Sequence, residues 1–591
     1  MKRPPRFAPR LASALLAGAL AAAGLLAGCR PSDSAPPADE PLTFTGPGWF
    51  ADITDASGLD FVHDAGPVDE TYFMPQSVGS GAAVLDFDGD GLPDLYLLQN
   101  AGPDSKAVNR LYRQLPDHTF RDVSAGSGLD VAGWNMGVAV GDVNNDGLPD
   151  VLVTQYGGVR LFLNEGGGRF TDVTKEAGLD GVRGWATSAS FVDYDRDGWL
   201  DLFVARYVDY DPSKRCANAA GVHDYCAPKA FIGTPSLLFH NVGRSGDAPA
   251  GQAAPVKFKD VSLESNIGRT PGPGLGVVSG DFDGDGWPDF FVANDGQPNR
   301  LWINQQNGTF KEEAAVRGVA YNSMGQAEAN MGIGWGDVDG DGLLDLFVTH
   351  LNSETNTLWR QETPGQFRDA TAFSRLARRK WRGTGFGTLL GDFDQDGALD
   401  AAVVNGKVFK EPRLNEQELG PFFSQYADRN QLFRNDGKGK FTDASLENAP
   451  FCETPRVCRG LAMGDLDGDG ALDLLVTQIN GRARLYRNVA SPRGHWLLVR
   501  AVDPALGGRD AYGALVTVRA GGRRWVRQVT ADGGYLTATD PRAHFGLGAA
   551  DRIDEVVVRW PNGDAQEESF RGGPADRPLT LKKGEGQPVK E

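Results

Sequence analysis

The sequence predicts an all-β protein: a seven-bladed β-propeller with calcium-binding loops, followed by a small C-terminal domain resembling a β-sandwich. Three observations lead there. A nine-residue acidic pattern recurs seven times, similar apolar stretches flank each copy, and 78 glycines and 35 prolines among 591 residues favour tight turns over long helices. A hydrophobic content of 40% suffices for a core of this size. The divisions expected are a lipoprotein signal peptide at 1–28, a tether at 29–43, the propeller at 44–490, the C-terminal domain at 491–583 and a tail at 584–591.

The amino terminus carries Lys2, Arg3, Arg6 and Arg10 ahead of an Ala/Leu-rich run from Leu11 to Ala27, the layout of a signal peptide. Leu26-Ala27-Gly28-Cys29 resembles a bacterial lipobox, in which Cys29 is lipidated after cleavage. A plain membrane helix is the alternative, but the run is shorter than the roughly 20 residues a span needs. Arg30, with no Asp after the cysteine, resembles lipoproteins sent to the outer membrane, so the expected location is that of an exported, anchored bacterial protein. A formal charge of −19 excludes nucleic acid as a partner. Membrane contact is expected through the lipid only.

The acidic pattern reads Asp-x-Asp-x-Asp-Gly-x-x-Asp, in a unit of roughly fifty-five residues with insertions in two repeats. Its ligand positions are Asp86, Asp88, Asp90 and Asp94 in loop 1, Asp142, Asn144, Asp146 and Asp150 in loop 2, and Asp193, Asp195, Asp197 and Asp201 in loop 3. Loop 4 has Asp281, Asp283, Asp285 and Asp289; loop 5 has Asp337, Asp339, Asp341 and Asp345. Loop 6 has Asp392, Asp394, Asp396 and Asp400, and loop 7 has Asp465, Asp467, Asp469 and Asp473. Each loop joins two apolar strands, as Gly81–Leu85 and Leu95–Leu98 do around loop 1. A third strand such as Arg110–Arg113 and a Phe-x-Asp fourth strand such as Phe120–Val123 complete the unit.

Four strands repeated seven times are the signature of propeller blades, and the chain ends argue against a linear solenoid. Phe50-Ala51-Asp52-Ile53 is a fourth strand ahead of every acidic loop, while loop 7 is followed by a third strand, Arg484–Arg487, and no fourth. Residues Phe50 to Thr54 are therefore predicted to complete the blade containing Asp465.

Calcium takes six to eight hard oxygens at flexible geometry, which carboxylates at alternating positions supply while glycine permits the turn. Positions one, three, five and nine carry side-chain oxygens, position six is always glycine, and a position-seven carbonyl adds another donor. Up to seven calcium ions are expected, with Asn144 marking a weaker site. One such loop alone is as well read as a solvated turn, whereas seven in register are not. Magnesium suits the loops less because it demands octahedral geometry.

The residues resemble the FG-GAP/VCBS propellers of the integrin α-subunit kind, and most closely the cartilage acidic protein family. Phe73-Met74-Pro75-Gln76-Ser77, Trp134-Asn135-Met136-Gly137 and Tyr225-Cys226-Ala227-Pro228 carry the resemblance, as does Asn294-Asp295-Gly296-Gln297-Pro298-Asn299-Arg300-Leu301. From about His495 the chain resembles the ASPIC/UnbV domain, through Gly508-Arg509-Asp510-Ala511-Tyr512-Gly513-Ala514, Gly533-Gly534-Tyr535-Leu536 and His544-Phe545-Gly546-Leu547-Gly548. The Arg509-Asp510 pair reads as a binding feature or as a structural turn. The resemblance implies a calcium-binding surface or matrix-type protein.

Topology puts both insertions, Ala205–Pro235 and Asn405–Asn430, on the face opposite the acidic loops. Trp134, Asn135, Trp185, Asn330, Arg382 and Arg459 precede first strands and are the candidate partner-binding rim, suited to a glycan or acidic ligand. Ordinary packing is their alternative reading. With Cys29 set aside four cysteines remain, and of the three possible pairings two local disulfides, Cys216–Cys226 and Cys452–Cys458, are expected. The leading functional expectation is an extracytoplasmic binding or adhesion protein recognising a protein or glycan. A polysaccharide-active enzyme and an accessory factor for an exported complex are the alternatives. No HExxH, GxSxG or phosphate loop supports catalysis, and no catalytic residue is assigned.

Overall fold

A computed structural model describes residues 42–46, 48–218, 220–243, 256–561 and 566–589. The expected signal peptide and Cys29 lie outside these residues. Those from Leu42 onward form one compact unit.

Seven sheets repeat one plan, in which each acidic loop joins the first strand to the second and the third and fourth follow antiparallel. In the first sheet these are Ala82–Leu85, Asp94–Leu97, Arg110–Gln114 and Phe120–Asp122. First strands are buried along almost their whole length, whereas fourth strands bury their phenylalanine and expose much of the rest, so each sheet runs from interior to solvent. Neighbouring first strands touch in chain order, and Cys458–Gly464 of the seventh sheet also touches Ala82–Leu85 of the first. Phe50–Asp52 forms the outer strand of the seventh sheet, with Phe50 opposite Asn488 and Asp52 opposite Tyr486. The amino-terminal strand thus lies where its Phe-x-Asp pattern predicts.

The C-terminal region has two sheets. One is centred on His495–Asp503, and the other contains Arg523–Gln528, Leu515–Ala520, Arg552–Arg559 and Glu567–Pro574. Leu497, Val499, Val516, Val518, Phe545, Val556 and Val558 fill a core that continues into the second and third sheets of the repeat region.

Between its strands this region sends a segment into the centre of the ring of first strands. Thr537–Ala538 adds to the first sheet, parallel to Ala82–Ala83. Leu536 N–H donates to Ser188 Oγ at 3.0 Å, and Asp532 accepts from Ser190 Oγ at 2.9 Å and Ser279 N–H at 2.9 Å. Glycines admit the segment: a Cβ on Gly276 would stand 2.3 Å from the Gly534 carbonyl oxygen. Tyr535 is fully buried and packs edge-on to Phe386 at 5.3 Å.

The two insertions meet on the face opposite the acidic loops. Tyr426 Oη donates to Asp224 Oδ1 at 2.7 Å, and Lys410 bonds Asp224 and the His223 carbonyl, both at 2.8 Å. The Cys216–Cys226 disulfide closes the first insertion. The second expected disulfide is corrected: Cys452 and Cys458 are buried free thiols. One ends a helical turn and the other begins a first strand, and their sulfurs face different partners, Ser445 and Asn430.

Candidate metal centres

Every acidic loop is held by the same backbone hydrogen bonds. The position-six glycine N–H donates to the position-one carboxylate in all seven, at 2.8 to 3.1 Å. The position-seven N–H donates to the position-five carboxylate, at 2.8 to 3.0 Å. Position six has positive φ throughout, from 85° to 96°, which is why only glycine occurs there.

Position nine has a different task. Its Oδ2 accepts the position-two N–H in every loop. Its Oδ1 accepts a third-strand N–H at 2.7 to 2.8 Å, as from Gln114 to Asp94 and from Asn435 to Asp400. Buried and bonded at both oxygens, this aspartate pins the loop to the third strand. Sequence spacing alone gives it the same appearance as the other carboxylates.

Position three faces solvent-side cations. Arg113 pairs with Asp88 at 2.7 Å, Arg317 with Asp283 at 3.1 Å, Arg434 with Asp394 at 3.2 Å and His240 with Asp195 at 3.3 Å. Arg360 and Arg487 pair with Asp339 and Asp467. Loop 2 departs from this: Asn144 replaces the aspartate, and Leu163 occupies the third-strand position that holds Arg113 in the first sheet. Its carboxylate is absent, and that third-strand position holds no cation.

These bonds leave carboxylate oxygens over. Buried oxygens without a partner remain on Asp281 and Asp283 in loop 4, on Asp392 and Asp394 in loop 6, and on Asp88, Asp193 and Asp465 in loops 1, 3 and 7. Burial, as the largest cause, pushes Asp94, Asp345 and Asp392 up to about 8, Asp193 to about 7, and Asp142 and Asp465 to about 6. Neighbouring aspartates push the same way. Triads such as Asp86–Asp88–Asp94, Asp281–Asp283–Asp285 and Asp337–Asp339–Asp345 converge closely enough to share an ion. Orphaned hard oxygens in a crowd of carboxylates fit a divalent cation.

The C-terminal region covers this face. Arg509 Nη1 donates to Asn145 Oδ1 at 2.9 Å and to the Gly198 carbonyl at 3.2 Å, so the pair Arg509-Asp510 is an inter-region contact whose Asp510 is held by Arg500 at 2.7 Å. Trp525 donates to the Gly397 carbonyl at 2.9 Å and His544 to the Gly470 carbonyl at 2.8 Å. Arg559 pairs with Asp281, Arg524 bonds the Asp341 carbonyl, and Arg493 pairs with Asp469 at 2.9 Å. No local sequence signal announces these contacts.

The expected partner rim is mostly interior. Asn135 is fully buried, donating to the Gln99 carbonyl at 2.9 Å, and Asn330 donates to the Asn294 carbonyl at 2.9 Å. Trp185 is fully buried among Tyr156, Tyr207 and Tyr210. Arg459 is buried over the Phe386 ring at 3.8 Å and donates to the Ser77 carbonyl at 2.7 Å. Trp134 is half-buried against Phe73 and Arg382 is exposed, so only these two of the six offer surface.

The fold and loops define a repeat protein in which each unit is a four-stranded sheet with one acidic loop. The chain belongs to the FG-GAP-like repeat family, whose profile matches residues 86–153, 142–204, 281–348, 337–403 and 422–476, together about half of the chain; the ASPIC and UnbV profile matches 506–588. Its relatives include cartilage acidic protein 1 of Mus musculus, 26% identical over 532 residues, covering 83% of this chain and 71% of that one. Cartilage acidic protein 1 of Homo sapiens is 25% identical over 547 residues, covering 86% and 72%. Among solved structures, an Agrocybe aegerita lectin described as recognising non-reducing terminal N-acetylglucosamine aligns at 16% identity over 68% of this chain and 87% of that one, with a TM-score of 0.38. A BBS1N–ARL6DN complex aligns at 10% identity over 76% and 99%, with a TM-score of 0.37. The location is corrected here: the matched relatives come from mouse, human and Xenopus tropicalis, which overturns the bacterial outer-membrane lipoprotein expected from the Cys29 segment.

Proposed function

We propose that this chain is an extracellular calcium-binding protein of the binding or adhesion type, which recognises a protein or glycan partner on the face opposite its acidic loops. The observation that carries the calcium reading is the set of buried, unpartnered carboxylate oxygens at positions one and three. Carboxylates at positions one, three and five would hold the ion, while position nine, which joins the close triads of loops 1 and 5, fixes the loop and stands within reach as a further ligand. Bound calcium supplies positive charge among carboxylates that otherwise repel. The loop face is then a structural joint, because the C-terminal region rests on it, and the opposite face is left for recognition. The Cys216–Cys226 disulfide suits an oxidising compartment.

Calorimetric titration of chelator-stripped protein tests the reading. Calcium is expected to fill loops 4, 6 and 7 ahead of loop 2, which lacks a position-three carboxylate. Absence of calcium-specific heat together with no retained calcium by metal analysis would reject it. Screening of the calcium-loaded protein against glycan arrays and against cross-linked extracellular proteins then separates the two partner classes.

A further inference from the structure

On the face opposite the acidic loops, a cavity of about 300 Å³ opens where the first strands begin. Tyr207, Asp295, Glu354 and Phe386 line it, and the two insertions contribute Tyr225 and Phe409. Its volume is at the lower end for a specific small-group site, and its lining mixes apolar rings with a few polar groups as such sites do.

Asp295 Oδ2 accepts the Tyr207 hydroxyl at 2.6 Å, and Glu354 Oε2 accepts the Ala329 N–H at 3.1 Å. Repulsion from Glu354 acts on Asp295, and Arg379 reaches Glu354 at its backbone carbonyl. Burial pushes Asp295 up to about 6. Three other acids on this face have partners: Asp224 is held by Tyr426 and Lys410 N–H, Glu411 by Lys407 at 2.8 Å, and Glu418 by Arg484 at 2.9 Å, while Glu328 adds a third carboxylate that interacts with Glu354. Lys229 stands exposed at the rim.

One wall of the cavity is apolar where it meets solvent. Phe409, on the second insertion and in the lining, is 38% exposed. An exposed apolar ring in the wall of a concave site offers a surface along which the alkyl stem of a long cationic side chain packs.

Building on the partner-face reading above, we propose that this cavity receives a lysine or arginine side chain from a partner protein, its alkyl stem along the apolar wall and its charge on Asp295 and Glu354. A neutral or anionic side chain of the same length leaves both carboxyls without a counter-charge and is rejected. Charge-assisted hydrogen bonds supply the discrimination.

The probes are Nα-acetyl-arginine amide and Nα-acetyl-lysine amide, with Nα-acetyl-norleucine amide as the neutral control, titrated by NMR into the calcium-loaded full chain. The cationic probes should bind at least roughly tenfold tighter than norleucine, and the preference should disappear in Asp295→Asn/Glu354→Gln. Both substitutions keep an oxygen to accept from Tyr207 and Ala329, and each single variant should lose part of the preference. Equal binding of all three probes by the unaltered protein, or a preference unchanged in the double variant, overturns the proposal. Calcium-dependent melting measured on the same samples separates that failure from failure of the calcium reading.

Discussion

The two ends of the repeat strands are built by opposite strategies. At the acidic-loop end, seven copies of one short sequence make the same glycine and aspartate hydrogen bonds, and the C-terminal region lies across the result. At the other end the connections differ in length and composition, and two of them grow into insertions that meet over a cavity. Repetition produces a uniform charged platform, whereas irregular loops on a rigid scaffold produce a single differentiated site. The loop end is therefore expected to govern stability, and the opposite end recognition.

The sharpest way to break that division is at its axis. Tyr535→Ala removes a fully buried ring that packs against Phe386, and should cost about 3–5 kcal/mol in urea unfolding without changing the number of calcium ions bound. Asp400→Ala strips two backbone N–H groups of their acceptor and should cost about 2–4 kcal/mol in calcium and in chelator alike. Asp394→Ala, by contrast, should weaken the protein chiefly when calcium is present. A chelator-independent loss at Asp394 would show that it holds no ion, and a calcium-dependent one at Asp400 would make position nine a ligand as well as a pin.

Opening the Cys216–Cys226 link by paired serine substitution should cost about 2–3 kcal/mol of local stability. Proteolysis of the 205–235 insertion should accelerate while loop-face calcium binding is unchanged. The smallest effect belongs to Asn144→Asp, which restores the missing carboxylate where Leu163 offers no competing cation. It should tighten one site by about 1 kcal/mol in a calcium titration.

Much of the loop end was legible because its information is local. The spacing of the aspartates and the fixed glycine at position six name the turn, and the spare Phe50–Asp52 strand names the sheet it completes. The distinction between position nine and the other carboxylates was not legible, since it depends on a third-strand N–H such as that of Gln114 or Asn488 reaching the same aspartate. Contacts of Arg509, Trp525 and His544 with loops hundreds of residues earlier leave no trace in spacing. The candidate rim is mostly interior for a related reason: Asn135 and Arg459 stand at the start of first strands, inside packed junctions, and the open cavity draws on other segments. Cys452 and Cys458 show that closeness in sequence does not bring two sulfurs together when each faces its own pocket.

The central claim is that the acidic loops are calcium sites whose filling supports the fold and the docking of the C-terminal region. Thermal unfolding of residues 44–591 in calcium, in magnesium and in chelator, with metal content measured on the same samples, tests it most directly. The account predicts a melting temperature that rises with calcium concentration, a much smaller response to magnesium, and several calcium ions retained per chain. One melting temperature under all three conditions, with no calcium retained, would contradict it.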